Sequence, residues 1–266
     1  MKNNVIRSTW TILSIALFFL FSCASTQQKQ GERGDARFYH NWGDDHYRKG
    51  EYDRAISNYN KALEIDPRND AVYLNRGNAY ARKGQYDQAI SDYGKALEID
   101  PKKEAVYFFR GNANFNKKEY DQAISDYSKA LEINPRHALV YFNRGVAHGK
   151  KGQYDQAISD YNKALEIDPK HFRACNNLAW IFATAKDPNF RDGKMAVEFA
   201  SKACELSGWK EPNCLGTLAA AYARVGDFEN AVKWQEKALE DPQFAKEAET
   251  QERLKFYKDR KPWPPD

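Results

Sequence analysis

The sequence predicts an all-α fold, a solenoid of six stacked helix pairs closed by a C-terminal capping helix. Three observations lead there. The phrase Tyr-Asp-Gln-Ala-Ile-Ser-Asp-Tyr starts at Tyr86, Tyr120 and Tyr154, with a near copy at Tyr52, so its spacing is a fixed 34 residues. Each copy runs on into Lys-Ala-Leu-Glu-Ile and then a proline, at Pro67, Pro101, Pro135 and Pro169. A glycine keeps the same count upstream, at Gly43, Gly77, Gly111 and Gly145. A strict repeat of this length is one helix-turn-helix unit whose apolar face is covered by the next copy.

The first 22 residues read as a targeting segment outside the fold. Lys2 and Arg7 precede an apolar run, Trp10–Phe21, of about 12 residues. That is nearer a signal core than a spanning helix, which needs roughly 18 or more. The run ends in Leu20-Phe21-Ser22-Cys23, which resembles the bacterial lipoprotein box, although Phe21 is bulky for its slot. The resemblance implies cleavage before Cys23 and acylation of that cysteine, with several chains giving stable anchoring where one would not. An ordinary cleaved signal at Ser22/Ala24 and an uncleaved anchor are the alternatives. Residues 23–35 read as a flexible polar tether. Ala24 after the cysteine, by enterobacterial sorting, permits the outer membrane facing the periplasm; inner-membrane anchoring and secretion are the alternatives.

Four units follow: 36–69, 70–103, 104–137 and 138–171. Residues 70–103 place Tyr73, Gly77, Tyr80, Ala89, Tyr93, Ala96 and Pro101 at seven fixed slots, and the other three units fill nearly all of them alike. This resembles the tetratricopeptide repeat (TPR), which implies a right-handed superhelix. His46, Asn114 and His148 depart from the pattern at one slot. Small residues sit where helix backbones approach closely, and tyrosines fill the space around them. Gly50, Gly84 and Gly152 fall where the first helix must end in a left-handed residue. Lys118 takes that place in the third unit. Asp53, Asp87, Asp121 and Asp155 belong to the first turn of each second helix, where the helix dipole favours negative charge. The closing proline ends the pair.

Two divergent units, 172–211 and 212–241, keep the alanine and leucine slots. The fifth carries extra residues, mostly in Thr184–Lys194, a stretch with Asp187, Pro188, Asn189 and Gly193 that reads as a loop. The pair is similar to a terminal module of many bacterial TPR proteins. Residues 242–266 read as a capping helix over Phe244–Asp259 with an apolar stripe at Leu254 and Tyr257, then a proline-rich tail. Cys175, Cys204 and Cys214 lie in these last units. An export signal permits disulfides, and Cys204 and Cys214 are the candidate pair; the alternative is three small apolar residues in helix interfaces.

The net charge is +4, and removing Lys2 and Arg7 leaves +2. Both signs alternate along the second helices, as on a solvated face, and no basic run points to nucleic acid. No phosphate loop, nucleophile elbow, His-Glu-x-x-His or paired-cysteine spacing is present. The five histidines, His40, His46, His137, His148 and His171, are scattered. Neither metal nor cofactor is expected. The repeats leave no region of domain size for catalysis, so an enzyme is not expected either.

The family resemblance implies that first helices line a concave groove. The sixth residue of each unit is then Asn41, Asn75, Phe109, Asn143, Asn177 and Thr217. The four asparagines resemble the ladder of the repeat half of O-linked N-acetylglucosamine transferase, whose amides bind peptide backbone. An amide offers donor and acceptor together, as a peptide bond does. The same face adds Asn78, Arg82, Phe108, Asn112, Phe115, Phe142 and Lys150, with the phenylalanines as anchors. The alternative is that the aromatics pack within the stack and the asparagines only solubilise. The expected function is a lipid-anchored envelope scaffold or adaptor that binds extended peptides or helices of other proteins. The adaptors of peptidoglycan hydrolases and of type IV pilus assembly share this architecture. A self-assembling structural protein and a cell-wall glycan-binding module are the alternatives.

Overall fold

The computed structural model describes residues 35–264. Cys23 and the leader lie outside the described residues. Among the described residues thirteen α-helices run in order: α1 (Ala36–Arg48), α2 (Tyr52–Ile65), α3 (Asp70–Arg82), α4 (Tyr86–Ile99), α5 (Glu104–Asn116), α6 (Tyr120–Ile133), α7 (Ala138–Lys150), α8 (Tyr154–Ile167), α9 (Phe172–Thr184), α10 (Gly193–Leu206), α11 (Pro212–Arg224), α12 (Phe228–Ala238) and α13 (Ala248–Lys258). Among the described residues there is no strand and no helix long and apolar enough to cross a membrane. The chain divides into two compact units, up to Ala113 and from Asn114 on.

The repeat chemistry fixes both ends of the helices. Gly50, Gly84 and Gly152 have φ of 76°, 74° and 73°, and Lys118 takes φ 64° in their place. The left-handed residue closes each first helix. Asp53, Asp87, Asp121 and Asp155 each stand in the first turn of a second helix. Asn69 caps α3 by accepting from the Val72 amide at 3.2 Å. The extra residues of the fifth repeat form a 3₁₀ turn at Pro188–Phe190, seeded by Asp187, which accepts from the Asn189 amide at 2.9 Å.

Within the first unit, Ala55, Tyr59, Ala62 and Val72 form one cluster and Ala89, Tyr93, Ala96 and Val106 another. The recurring spacing of glycine and tyrosine has a steric cause. A Cβ on Gly77 would lie 2.7 Å from Tyr93 Cε1, so α3 reaches the ring only because the side chain is absent. In the second unit Ala157, Tyr161, Ala164 and Leu178 form a cluster, and a larger one runs through Cys175, Ala200, Leu218, Ala219 and Tyr257.

Two sequence expectations are corrected. Cys175, Cys204 and Cys214 are free, buried thiols, so the Cys204–Cys214 bridge is not formed in this structure. Burial pushes Cys204 up to about 12 and Cys214 up to about 11, which keeps them protonated. The capping segment is also not one helix from Phe244 to Asp259. A 3₁₀ turn at Phe244–Lys246 and an extended Glu247 precede α13. The buried Thr250 hydroxyl holds the break, within 2.8 Å of the Phe244 carbonyl and 2.7 Å of that of Glu247.

Candidate functional site

Side chains on the first helices make two kinds of arrangement, one that braces the stack and one that remains open. The brace is an arginine–aspartate pair repeated with the period. Arg76 reaches Asp92 with Nε at 2.7 Å and Nη2 at 2.6 Å, and its third nitrogen donates to Asn60 Oδ1 at 2.6 Å. Arg144 repeats this on Asp160 at 2.9 and 2.7 Å, with Ser128 Oγ at 3.0 Å. Each guanidinium also lies over a tyrosine of its own helix, Arg76 over Tyr73 at 5.4 Å and Arg144 over Tyr141 at 5.5 Å. The Asp160 hydrogen bonds raise Arg144 further above the ordinary guanidinium range, against the opposing effect of burial. Two-point geometry of this kind suits arginine and no other cation.

The histidine slots serve the same brace. His46 Nδ1 lies 2.6 Å from Glu51 Oε2, and His148 Nδ1 lies 2.8 Å from Gln153 Oε1, so each ties a first helix to the start of the second. Asn114 donates to Asp126 at 3.0 Å. Lysine–aspartate pairs Lys83–Asp53 and Lys151–Asp121 link successive repeats, and Lys103–Asp70 joins the two ends of one repeat.

The expected asparagine ladder is partly spent on this bracing. Asn177 Nδ2 donates to Tyr161 Oη at 3.2 Å, and Asn143 hydrogen-bonds Tyr127. Asn75 donates to Asp44 at 2.9 Å, the carboxylate that also takes the Tyr59 hydroxyl at 2.7 Å. Phe109, the break in the ladder, stacks on Tyr93 with centroids 6.3 Å apart. At Phe109, Asn143 and Asn177 the sixth slot therefore meets the tyrosine of the preceding repeat, and at Asn75 it meets the carboxylate that holds that tyrosine. Burial keeps those hydroxyls protonated, holding Tyr127 above the ordinary phenol range and pushing Tyr161 up to about 12.

In the first unit a small cleft of about 180 Å³ is lined by Asp44, Tyr47, Arg48, Tyr59, Asn75 and Asn78. Asn78 accepts from Tyr93 Oη at 2.8 Å. Asn41 is exposed, and exposed Arg82 has Nε 3.4 Å from Tyr47 Oη. Phe108 and Asn112 are half-buried on α5. Phe108 lies against Phe109 at 5.4 Å.

In the second unit Phe115 lies against Tyr120 at 5.4 Å. Phe142 packs on Tyr161 at 5.9 Å and on His171 at 4.7 Å, so the aromatic anchors are half-buried rather than free. Here the first helices carry two adjoining clefts, of about 460 and 410 Å³. Asn177 and Trp180 of α9 line both. Val146 and Lys150 of α7 line the first; Phe142 of α7 and Thr217 of α11 line the second. The predicted residues Phe142, Lys150 and Asn177 are thus gathered, while Asn143 is not among the lining residues.

Five further contributors carry no signal in the repeat pattern: Trp180, Asn176, Arg253, Trp263 and Pro264. Trp180 sits where α13 returns toward α9, with the Arg253 guanidinium over its ring at 4.9 Å. Asn176 and Arg253 line the second cleft, and Asn176 Oδ1 and Arg253 Nε are buried without a hydrogen-bond partner among the described residues. Trp263 and Pro264 of the tail border the first cleft, with the Pro264 carbonyl 3.4 Å from Arg224 Nη2. The Asn177 amide and the flat ring of Trp180, which line both clefts, can together take a peptide group and an apolar side chain. Among the described residues no group of three or more His, Cys, Asp or Glu is placed to hold a metal.

Comparison with known proteins agrees with this architecture. A family model of the TPR repeat matches residues 43–84 and 111–152, and models of the tetratricopeptide repeat match 71–103, 138–171 and 213–241, together more than half of the chain. The crystal structure of MamA is 30% identical over 63% of this chain and 95% of its own, with a TM-score of 0.58. That of YrrB, described as a TPR protein with an unusual peptide-binding site, is 25% identical over 71% of this chain and 95% of its own, at 0.60. Pseudomonas aeruginosa pilF shares the fold at 19% identity, covering 84% of this chain and 97% of its own, at 0.68. No curated protein matches the sequence significantly.

Proposed function

The chain belongs to the tetratricopeptide repeat family, and we propose that it is a non-catalytic scaffold that holds segments of partner proteins on its first helices. The observation that carries this is the pair of adjoining clefts on the first helices, both lined by the Asn177 amide and the Trp180 ring. The asparagines have a mixed role. The Tyr161 hydroxyl takes one Nδ2 hydrogen of Asn177, which leaves its other amide groups for a ligand. Peptide binding by YrrB, at 25% identity, supports the same class of ligand.

The scaffold works from a membrane. Trp10–Phe21 and the Leu20-Phe21-Ser22-Cys23 sequence favour an acylated Cys23 in a bacterial envelope, with the outer membrane as the destination that Ala24 permits.

Capture from solubilised envelopes tests the binding reading. A Phe142→Ala/Trp180→Ala chain should lose partner proteins that the wild type retains, with helical dichroism unchanged. Equal capture by both chains refutes the assignment to these clefts. Release of the protein by soluble peptidoglycan fragments instead would favour a wall glycan as ligand. Incorporation of labelled fatty acid that is lost in Cys23→Ser tests the anchor separately.

A further inference from the structure

The 34-residue register provides an internal control for the open end of α1. In the next three first helices the third position of the repeat is Val72, Val106 and Val140, exposed by 1%, 0% and 0%. Val72 is buried in one cluster with Ile56 and Leu63 of the helix before it. The seventh position is Arg76, Arg110 and Arg144, of which Arg76 and Arg144 form the aspartate pairs described above. In α1 these two positions are Phe38 and Trp42. Among the described residues no helix precedes α1. The two rings lie 5.0 Å apart, and Trp42 is 51% exposed. The outer end of a helical stack is ordinarily polar. Here it presents the two largest apolar side chains of the helix at the positions built to meet a neighbour.

We propose that this Phe38–Trp42 face docks on a lipid surface. Three observations select that occupant. Residues 24–34 contain no aromatic and nothing more apolar than alanine, so they offer the rings no large apolar partner. The apolar run ends at Phe21 and α1 begins at Ala36. Even fully extended, the residues between span at most roughly 50 Å, which keeps α1 near any membrane that carries the leader or Cys23. A second copy of the chain fits less well. The two rings offer at most a few hundred Å², whereas a stable dimer buries roughly 1,200 Å² or more. A tethered contact needs far less, because the link supplies a millimolar effective concentration. Tryptophan suits the boundary, where its ring is buried and its N–H stays hydrated. Arg37 and Asn41, exposed on the same helix, belong at headgroup level. Asp45 has its charge met by Arg48 at 2.9 Å.

The inference rests on the membrane reading of the N-terminal segment, so the test supplies the attachment chemically. Every described helix lies within residues 36–258, all of which chain 23–266 retains. Cys175, Cys204 and Cys214 are buried, which leaves Cys23 for coupling to a maleimide phospholipid in phosphatidylcholine–phosphatidylglycerol vesicles. Brominated acyl chains then quench tryptophans that reach the bilayer. Emission should fall relative to unbrominated vesicles, and the fall should disappear in Trp42→Phe, with dichroism unchanged. No fall in the wild type, or a fall that persists in Trp42→Phe, overturns the proposal. A dimer in sedimentation that Trp42→Ser abolishes, with no quenching, would assign the face to a second copy. Failure of fatty-acid labelling at Cys23 in cells would count against the anchor and leave this result standing.

Discussion

Asp160→Ala should destabilise the second unit severely, because it strands a guanidinium. The Arg144 side chain is 22% exposed and that of Asp160 6%. Removing one partner of a buried pair costs roughly 3–5 kcal/mol. Arg144 keeps Ser128 Oγ and the face of Tyr141, and water reaches its exposed edge. Those contacts lower the expected loss to about 2–3 kcal/mol. For a unit of this size each kcal/mol moves the melting temperature by about 2–4 °C, so the fall should be about 4–12 °C. Thermal dichroism measures it, and hydrogen exchange should show protection lost first in α7 and α8. Asp155→Ala is the control. Asp155 is exposed in the first turn of α8, where a dipole contact contributes about 0.3–1 kcal/mol. Equal melting of the two variants would refute the claim that the repeated arginine–aspartate pair braces the stack.

Three further outcomes follow from the same contacts. Gly77→Leu should cost about 1–3 kcal/mol by overpacking against Tyr93, while Gly94→Ala, with nothing within 4 Å of its Cβ, should stabilise α4 by up to about 1 kcal/mol; urea midpoints of the two variants must move in opposite directions. In the native protein at about pH 8, thiol reagents should leave Cys175, Cys204 and Cys214 unlabelled, and full labelling before unfolding would contradict their burial. Because Cys204 and Cys214 titrate higher folded than unfolded, their stabilisation is whole below about 8.5 and is lost as pH climbs toward 11 to 12. Tyr161 acts in the same direction, so Cys204→Ala should reduce, without abolishing, the fall in stability above about pH 9.

The helix pairs were legible because each slot has one physical cause that recurs every 34 residues. Glycine admits a tyrosine ring, and a left-handed residue closes the first helix; Lys118 was readable as a substitute from its place alone. The brace was in principle just as legible. Arg76, Arg110 and Arg144 each precede the spacing glycine, and Asp92, Asp126 and Asp160 each precede the packing tyrosine. A charged residue on a helix reads by default as solvated, so its recurrence does not by itself signal a packed pair. The asparagines were placed on the correct helices, but sequence could not show that tyrosines sixteen residues earlier occupy part of their hydrogen-bonding capacity. Trp180, Arg253 and Trp263 were beyond reach. They meet because α13 and the tail return toward α9, a non-periodic contact between distant segments.

The central claim is that partners are held by the first helices of the second unit. Its most direct measurement is photo-crosslinking in intact envelopes from a probe at position 177, between the two clefts, against a probe at position 163, on the exposed side of α8. Discrete protein adducts from 177 that vanish with Trp180→Ala, and none from 163, are the predicted result. Adducts of equal kind and yield from both positions, or from neither, would contradict it.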